Sequence, residues 1–298
     1  MIYLKEYKVV ILGAGISGIS CGIYLERAGI DALVIENNIP GGQLNKIDII
    51  ENYPGLKSVT GSDLSLNLLE QIKEIDFVYD NVSKIDYDER IIYLDNESYK
   101  YDYLVFATGR RERLLGIANE KDYIGRGISL CATCDGALYR DRDVVVVGGG
   151  NSAVSEAIYL SNLCRKVTLI YRKDDLRADN VLKDRITGIE NVEILYNEEV
   201  VKYIVKDEKI SGVGLKSGSE LNCDAVFLAI GSIPNSELFI GDTDEGYIVV
   251  DGSYETSIEG VYASGDVIKK EMYQLITASS EGASVANNII NKINGSGV

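Results

Sequence analysis

The sequence lacks histidine and tryptophan entirely, and its 298 residues include only three prolines and two methionines. The missing histidine excludes the largest number of functions, since histidine is the usual side chain for acid-base catalysis near neutral pH and a common metal ligand. Hydrolases with a Ser-His-Asp or Cys-His arrangement are therefore excluded, as are metal centres that depend on histidine. The chemistry must come from other groups.

Positive charge and long apolar runs are also scarce. The 30 basic residues face 46 acidic residues, which gives a formal net charge of −16 and opposes binding to nucleic acids or anionic membranes. Apolar runs such as 144–147 and 225–230 have the length of a strand, not of a membrane span. A buried strand predicted at 8–12 leaves no room for a removable signal sequence. We expect a cytoplasmic protein with no nucleic-acid or membrane partner.

Glycine, in contrast, is abundant, and one glycine-rich loop follows the first predicted strand at 7–12. A predicted helix at 19–28 and a strand at 32–35 that ends in Glu36 complete a βαβ unit. In this context a G-x-G-x-x-G loop predicts a bound dinucleotide, with its pyrophosphate at the helix start and its ribose hydroxyls on the acidic residue. Glu36 would repel a ribose 2′-phosphate, so this site is expected to hold FAD or NAD. The loop reads Gly13-Ala14-Gly15-Ile16-Ser17-Gly18.

The same arrangement recurs 135 residues later, with strands at 143–147 and 167–170 and a helix at 154–163. Tyr171 now stands where the first copy has Glu36, and Arg172, Lys173 and Arg177 follow it. Cations at this position favour a 2′-phosphorylated dinucleotide, NADPH, although a solvated basic turn is the alternative. The second loop reads Gly148-Gly149-Gly150-Asn151-Ser152-Ala153.

The two copies predict an α/β fold with two Rossmann-like, three-layer dinucleotide-binding domains, the second inserted into the first. We place the split domain at residues 1–110 and 240–298, and the inserted domain at 111–239. The strand that ends at Ala107-Thr108-Gly109 marks the first crossing, where the backbone must pass near a flavin or a neighbouring domain. After a strand at 260–263, Gly265-Asp266 is placed so that its carboxylate can bind cofactor hydroxyls, and a helix is expected at 275–293.

A pair of cysteines lies inside the inserted domain, in Cys131-Ala132-Thr133-Cys134-Asp135-Gly136. In a compact turn at a helix start, the C-x-x-C spacing brings the two sulfurs close enough to bond, and the helix N-terminus favours a thiolate. Asp135 could deliver or remove the proton that dithiol chemistry needs. Half of a zinc site and an inert buried pair are the alternatives. With no histidine and only three other, scattered cysteines, no metal site is expected.

Two further loops combine turn residues with side-chain amides. One contains Gly42-Gln43-Leu44, and the other contains Asn52. Amides suit the edge of an isoalloxazine ring, which presents both donors and acceptors.

Together these motifs resemble the low-molecular-weight thioredoxin reductases over nearly the whole chain. The resemblance rests on both glycine loops, Gly41-Gly42-Gln43-Leu44, Glu51-Asn52-Tyr53-Pro54-Gly55, Ala107-Thr108-Gly109, the Cys131 to Gly136 segment, and Gly265-Asp266 with Gln274 and Thr277. It implies a homodimer with FAD in the split domain and NADPH in the inserted one. It also implies that Cys131 and Cys134 form a redox-active disulfide with Asp135 as acid-base residue, and that thioredoxin is the protein substrate.

Two other functions remain open at this point. Some relatives take electrons from ferredoxin, which a basic patch of Arg110, Arg111, Arg113 and Arg126 could dock. A different class would be an FAD-binding redox-sensing or electron-transfer module whose cysteines report a state without turnover.

Overall fold

The computed structural model describes residues 4–47 and 49–295 and divides into two compact units. The first unit is discontinuous, Met1–Arg111 with Pro234–Val298, and the second, Glu112–Ile233, is inserted into it. The second crossing therefore lies before Pro234, whereas the sequence placed it at 239/240. The segment between belongs to the first unit because the Asn235 N–H donates to the Gly109 carbonyl at 2.9 Å and the Phe239 ring lies 5.5 Å from that of Phe106.

Within residues 4–47 and 49–106, the first stretch of the split unit contains six strands, two α-helices and a short 3-10 helix at Gly42–Lys46. The elements are β1 Lys5–Leu12, α1 Ile16–Arg27, β2 Ala32–Glu36, α2 Gly61–Leu69, β3 Asp76–Tyr79, β4 Val82–Asp86, β5 Ile91–Leu94 and β6 Ser98–Phe106.

The chain then crosses into the inserted unit and back. The elements are β7 Arg110–Glu112, β8 Ile128–Ser129, α3 Ala132–Asp135, β9 Asp143–Val147, α4 Asn151–Ser161, β10 Lys166–Tyr171, α5 Asn180–Thr187, β11 Val192–Tyr196, β12 Val200–Lys206, β13 Lys209–Leu215, β14 Glu220–Asn222, β15 Ala225–Leu228 and β16 Ser232–Pro234. Short 3-10 helices lie at Glu120–Tyr123 and Gly136–Tyr139.

The last stretch returns to the split unit with β17 Thr243–Asp244, β18 Tyr247–Ile248, β19 Val261–Ala263, a 3-10 turn at Gly265–Val267 and α6 Leu275–Ile293. The sequence placed α6 at these same residues. It placed α1 and α4 three residues too late, because each helix begins directly after the third residue of its glycine loop, at Ile16 and Asn151.

The two units contain the same parallel arrangement of strands. In the split unit the order is β3-β2-β1-β6-β5-β4, with β19 beside β6, and in the inserted unit it is β11-β10-β9-β15-β8. The strands β1, β2, β3, β6 and β19 pair in parallel, as do all five of the inserted sheet. The strands β12 to β14 add an antiparallel sheet. The predicted α/β class with two Rossmann-like domains is confirmed.

Each parallel sheet is buried on both faces. Along β1, Val9 and Ile11 pack in one hydrophobic cluster and Val10 and Leu12 in another, as expected when successive side chains point to opposite faces. The valines of β9 divide in the same way. Such double burial produces the continuous Val, Ile and Leu runs seen in the sequence and the three-layer form of each unit.

Among residues 4–47 and 49–295, none of the helices combines the length and the apolar character that crossing a membrane requires.

Candidate active site

The two glycine loops have equivalent hydrogen bonds, each at the same offset of 135 residues. The Gly13 N–H donates to the Ile35 carbonyl at 2.8 Å, and the Gly148 N–H donates to the Ile170 carbonyl at 3.0 Å. The carbonyls of Gly15 and Gly150 accept the first helical bonds, at 2.9 Å and 3.1 Å. Each loop thus joins the end of one strand to the start of one helix in the same way.

Steric limits explain why glycine occupies the first position of each loop. Gly13 has a φ of 101° and Gly148 a φ of 147°, and a Cβ at either position would overlap the carbonyl of Ala107 or Ala229. A Cβ on Gly18 would likewise overlap the Gly13 carbonyl, so α1 packs closely on its loop. The fold needs these glycines whether or not a ligand binds.

The third loop position differs, because a Cβ on Gly15 or Gly150 would meet no heavy atom of the described residues within 4 Å, apart from its chain neighbours and its own helix backbone. Both residues are N-caps of helices that lack a side-chain cap and have no acidic residue in the first turn. Open space before unsatisfied helix N–H groups fits a pyrophosphate. On this test, the residues present fit one dinucleotide in each unit.

In the split unit, Glu36 is buried beside its glycine loop. One carboxylate oxygen accepts the Ala14 N–H at 2.7 Å and the other accepts the Asn38 N–H at 2.9 Å. These bonds fix the carboxylate while leaving lone pairs on both oxygens for ribose hydroxyls. The donor set therefore fits the adenosine part of FAD.

The inserted unit has Tyr171 at the equivalent place, with its ring against Gly149 and only 5% of the residue exposed. Its hydroxyl is buried and, within the described part of the chain, has no hydrogen-bond partner. Asn151 exchanges two hydrogen bonds with Asp179, of 2.9 Å and 2.8 Å, so its amide holds the loop; Ser152 is exposed.

The three cations after Tyr171 are exposed. Arg172, Lys173 and Arg177 have no ion pair with any residue of the described ranges. The backbone N–H of Arg177 donates to the Gly149 carbonyl at 2.7 Å, which places this arginine next to the glycine loop. Unpaired cations beside a dinucleotide loop fit an additional phosphate better than a structural role.

The predicted flavin-edge residues lie in the split unit, and hydrogen bonds orient two of their amides. The Asn52 amide donates to the Gln274 side chain at 3.1 Å, and Gln43 donates to the Arg110 carbonyl at 2.8 Å. Leu44 is buried. Gly42 lies close to the first glycine loop, since a Cβ added to Gly42 would stand 3.3 Å from the Gly15 Cα.

The first crossing is held by Asn235. Its amide donates to the Thr108 carbonyl at 2.8 Å, and the Thr108 hydroxyl donates to the Asn235 carbonyl at 2.6 Å. With the Gly109 bond described above, these contacts tie the outgoing and returning chain together inside the split unit.

Charged residues surround Asp266. Its two oxygens lie 3.2 Å from Arg110 Nε and 3.3 Å from Lys270 Nζ, and Lys270 also pairs with Glu281 at 2.8 Å. Glu281 accepts the Gly265 N–H at 2.8 Å, and burial raises its pKa. Two cations therefore orient Asp266, and the lone pairs that they do not occupy can accept hydrogen bonds from cofactor hydroxyls.

A buried serine pair supports the same turn. The hydroxyls of Ser17 and Ser264 lie 2.7 Å apart, joining the first turn of α1 to the strand end that precedes Gly265.

Cys131 and Cys134 form a disulfide bond in the structure, with their Cα atoms 5.4 Å apart. Cys131 is the N-cap of α3, and its sulfur accepts the Cys134 N–H at 3.2 Å. A backbone N–H directed at this sulfur would stabilise a thiolate on Cys131 after reduction.

Asp135 ends α3 and accepts a hydrogen bond of 2.7 Å from the buried hydroxyl of Ser129. Tyr139 follows in the next turn, where burial and then the Asp135 carboxylate raise its pKa. The phenol is therefore uncharged near neutral pH. The structure thus brings the Asp135 carboxylate and the Ser129 hydroxyl that holds it to the segment that carries the disulfide.

Sequence reasoning missed several residues of this site: Ser129, Lys270, Glu281 and Asn235. Ser129 had a weak signal, since it is the polar residue in the apolar run from Ile128 to Leu130. Lys270 stands four residues after Asp266, but outside a helix this spacing alone does not predict an ion pair. Glu281 and Asn235 gave no signal, because their partners lie 11 or more residues away along the chain.

Comparison with known proteins places the chain in a family. Residues 7–282 match the family model described as pyridine nucleotide-disulphide oxidoreductase. A thioredoxin reductase of Listeria monocytogenes is 38% identical over 296 residues, which cover 95% of this chain and 93% of the relative. The crystal structure of Lactococcus lactis thioredoxin reductase matches 97% of this chain and 99% of its own, with 32% identity and a TM-score of 0.84.

A ferredoxin-flavin thioredoxin reductase from Clostridium acetobutylicum is also similar, with 29% identity, coverage of 98% and 100%, and a TM-score of 0.55. The resemblance seen in the motifs is thus confirmed over the full length of the fold. The chain belongs to the pyridine nucleotide-disulphide oxidoreductases, as a member of the low-molecular-weight thioredoxin reductase type.

Proposed function

We propose that this protein is a thioredoxin reductase that passes two electrons from NADPH, through FAD and the Cys131–Cys134 disulfide, to thioredoxin. The observation that carries the proposal is the disulfide at the start of α3, in a chain with two dinucleotide loops. Half of a zinc site does not account for a formed disulfide, and an inert buried pair does not account for the exposure of Cys134 with a hydrogen-bonded carboxylate beside it.

FAD is assigned to the split unit. Its glycine loop has the open space and uncapped helix for a pyrophosphate, and the fixed Glu36 carboxylate suits ribose hydroxyls without a phosphate. The amides of Gln43, Asn52 and Gln274, with Asp266, supply polar groups for the rest of the cofactor. FAD, when bound, supplies a two-electron carrier between the nicotinamide donor and the disulfide.

NADPH is assigned to the inserted unit. Arg172, Lys173 and Arg177 are exposed cations whose side chains have no ion-pair partner in the described part of the chain. They follow Tyr171, where we expect the ribose 2′-phosphate to lie. The acidic residue that would repel this phosphate is replaced by Tyr171. These features support NADPH over NADH as the donor.

The dithiol then reduces thioredoxin by exchange. One enzyme thiolate attacks the thioredoxin disulfide and forms a mixed disulfide, and the displaced sulfur takes up a proton. The other enzyme thiol gives its proton to Asp135 and attacks the mixed disulfide, which re-forms the Cys131–Cys134 bond. Asp135 passes its proton to the second thioredoxin sulfur. Thioredoxin thus gains two electrons and one proton from the dithiol, and the proton on its first displaced sulfur comes from the solvent, which received one when the attacking enzyme thiol ionised.

Ferredoxin is the alternative donor, and the Clostridium acetobutylicum structure carries that name. Two of the four arginines that would form its docking patch are already paired, Arg110 with Asp266 and Arg111 with Glu237. Arg113 and Arg126 alone offer little attraction to an acidic partner on a chain with a net charge of −16. This charge distribution supports the nicotinamide donor.

An anaerobic titration of the purified protein separates the three functions. We expect NADPH to bleach the flavin rapidly and NADH to do so at least about tenfold more slowly, since only NADPH offers the phosphate. Thioredoxin should then restore the flavin colour, and a Cys134→Ser variant should be bleached but fail to reduce thioredoxin. If the flavin is bleached only when ferredoxin is supplied, ferredoxin and not NADPH is the electron donor. If NADPH bleaches the flavin but thioredoxin is not reduced, the protein is a redox-sensing or electron-transfer module.

We further propose that the enzyme is a cytoplasmic homodimer. The family resemblance supports the dimer, and a C-x-x-C that must cycle between disulfide and dithiol suits a reducing compartment. Sedimentation equilibrium of the flavin-loaded protein measures the assembly, and a monomer would contradict it.

A further inference from the structure

Ser129 is a buried polar residue in the short strand β8. It is 2% exposed and pairs in register with Phe227 of β15 in the parallel sheet of the inserted unit. Its neighbours Ile128 and Phe227 belong to hydrophobic clusters of that unit. A hydroxyl in such a place needs partners, because burying it unpaired is costly.

The hydrogen-bond partners of the Ser129 hydroxyl lie in the Cys131 to Gly136 segment. Its Oγ lies 2.7 Å from Asp135 Oδ2, 3.1 Å from the Cys131 carbonyl oxygen and 3.1 Å from the Cys131 N–H nitrogen. A hydroxyl donates one proton, and of the two acceptors the carboxylate is both the stronger and the nearer. Ser129 therefore donates to Asp135 and accepts from the Cys131 N–H.

One hydroxyl thus connects the backbone of a redox cysteine to the carboxylate beside the other cysteine. Asp135 Oδ2 is held by this bond, whereas Oδ1 has no hydrogen bond to any residue within 4–47 and 49–295. The strand fixes the hydroxyl, since β8 is paired to the sheet and Ser129 is buried. The carboxylate rotamer is therefore set by the sheet and not by the exposed cysteine turn alone.

We propose that Ser129 is a positioning residue for dithiol exchange: it holds one oxygen of Asp135 so that the other stays directed to proton exchange with the Cys131–Cys134 dithiol. The inference rests on the proposed function. During exchange, Asp135 takes the proton of the second enzyme thiol and returns it to the departing thioredoxin sulfur. Ser129 itself neither gains nor loses a proton in this cycle, and no electron passes through it.

The test is a double-mutant cycle with Ser129→Ala and Asp135→Asn in the flavin-loaded enzyme. If Ser129 acts through Asp135, Ser129→Ala should lower kcat for thioredoxin reduction about tenfold, with KM for thioredoxin and the rate of flavin bleaching by NADPH unchanged. In the Asp135→Asn background the same substitution should have no further effect on kcat. Ser129→Thr, which keeps the hydroxyl, should restore kcat to within about twofold.

A structural role would give a different pattern. Loss of the bond to the Cys131 N–H distorts the cysteine turn whatever residue stands at 135, so the effects of the two substitutions would add. An unchanged kcat in Ser129→Ala, or additive effects in the cycle, overturns the inference. Should Ser129→Ala bind less flavin than the wild type, Ser129→Cys takes its place in the cycle, because a thiol has similar volume but is a weak donor.

The wild-type assay separates this inference from the proposed function. A wild type that NADPH bleaches but that does not reduce thioredoxin contradicts the function itself. An active wild type with an unaffected Ser129→Ala contradicts only the role of Ser129.

Discussion

We propose that single residues decide which dinucleotide each unit binds. Glu36 and Tyr171 occupy equivalent strand ends, yet one presents a fixed carboxylate and the other a buried ring beside three exposed cations. The two loops before them have nearly the same backbone hydrogen bonds. We therefore attribute the preference for a free ribose 2′-hydroxyl in one unit and for a 2′-phosphate in the other to the side chain at this one position and to those in the turn that follows it.

Glu156 in α4 supplies a prediction at the same scale. One of its oxygens is buried without a hydrogen-bond partner among the described residues, and burial, with a smaller contribution from Glu112, raises its pKa from 4.5 to about 7. Between these values the folded protein binds more protons than the unfolded protein, so the free energy of unfolding falls as pH rises from about 4.5 to about 7. We expect this loss to be on the order of 2 kcal/mol.

Glu156→Gln should remove that pH dependence, since the amide keeps the shape of the protonated acid. Thermal denaturation should show little difference from the wild type at about pH 4, below the ordinary pKa of the carboxyl, and a higher Tm of the variant at about pH 8. Glu190→Gln, on the exposed surface of the same unit, is the control and should follow the wild type at both pH values. A Glu156 variant less stable than the wild type at the higher pH would contradict the argument.

The glycine loops act as elements, because each one fixes both the end of a strand and the start of a helix. Gly13 and Gly148 are required by positive φ and by a neighbouring carbonyl, whereas Gly15 and Gly150 stand before open space. The first pair is required for folding, and we propose that the second pair is required for the ligand to approach the loop. Substitutions at the two kinds of position should therefore differ in what they change.

Gly148→Ala tests the folding requirement in the inserted unit. Its Cβ would overlap the Ala229 carbonyl and lies near the Ala153 Cβ, at a φ that alanine rarely adopts. We expect a stability loss of about 1–3 kcal/mol and weaker NADPH binding, measured by thermal denaturation and by titration. Gly188→Ala is the matched control, because Gly188 ends α5 at a φ of −87° and its nearest neighbour would stand 3.9 Å away. Equal melting temperatures for the two variants would contradict this reading.

On the scale of the whole molecule, a duplicated nucleotide-binding fold accompanies a strongly acidic composition. The order β3-β2-β1-β6 in one unit repeats as β11-β10-β9-β15 in the other. The net charge of −16 acts at long range on any charged partner. The net charge of the whole chain, as well as the charges at its binding sites, therefore affects which protein partners it attracts.

The charge leads to a prediction on electron donors. Reduced ferredoxin, an acidic protein, should bleach the flavin slowly, and its rate should rise or stay constant when salt increases from about 20 mM to about 200 mM, since screening weakens repulsion. Stopped-flow absorbance measures the rate, with NADPH as the comparison at each salt concentration. A fast reaction that slows as salt is added would indicate a basic docking patch and favour the ferredoxin alternative.

The sequence by itself determined the features that depend on local chain geometry. These features could be predicted from short stretches, because backbone sterics and side-chain periodicity act over a few residues. They are the strand followed at once by G-x-G-x-x-G, its matching copy 135 residues later, the C-x-x-C turn and the bounds of α6. The doubly covered sheets followed from the same patterns.

Only the tertiary structure decided which side chains of separate elements meet. The Ser129 hydroxyl on Asp135, the two cations on Asp266 and the return of Asn235 to Thr108 each join separate elements of the fold. No periodicity predicts such pairs, since the distance between two side chains depends on how sheets and turns pack and not on the residues between them. The chemistry of the dithiol was therefore visible in the sequence, and the groups that orient it were visible only in the fold.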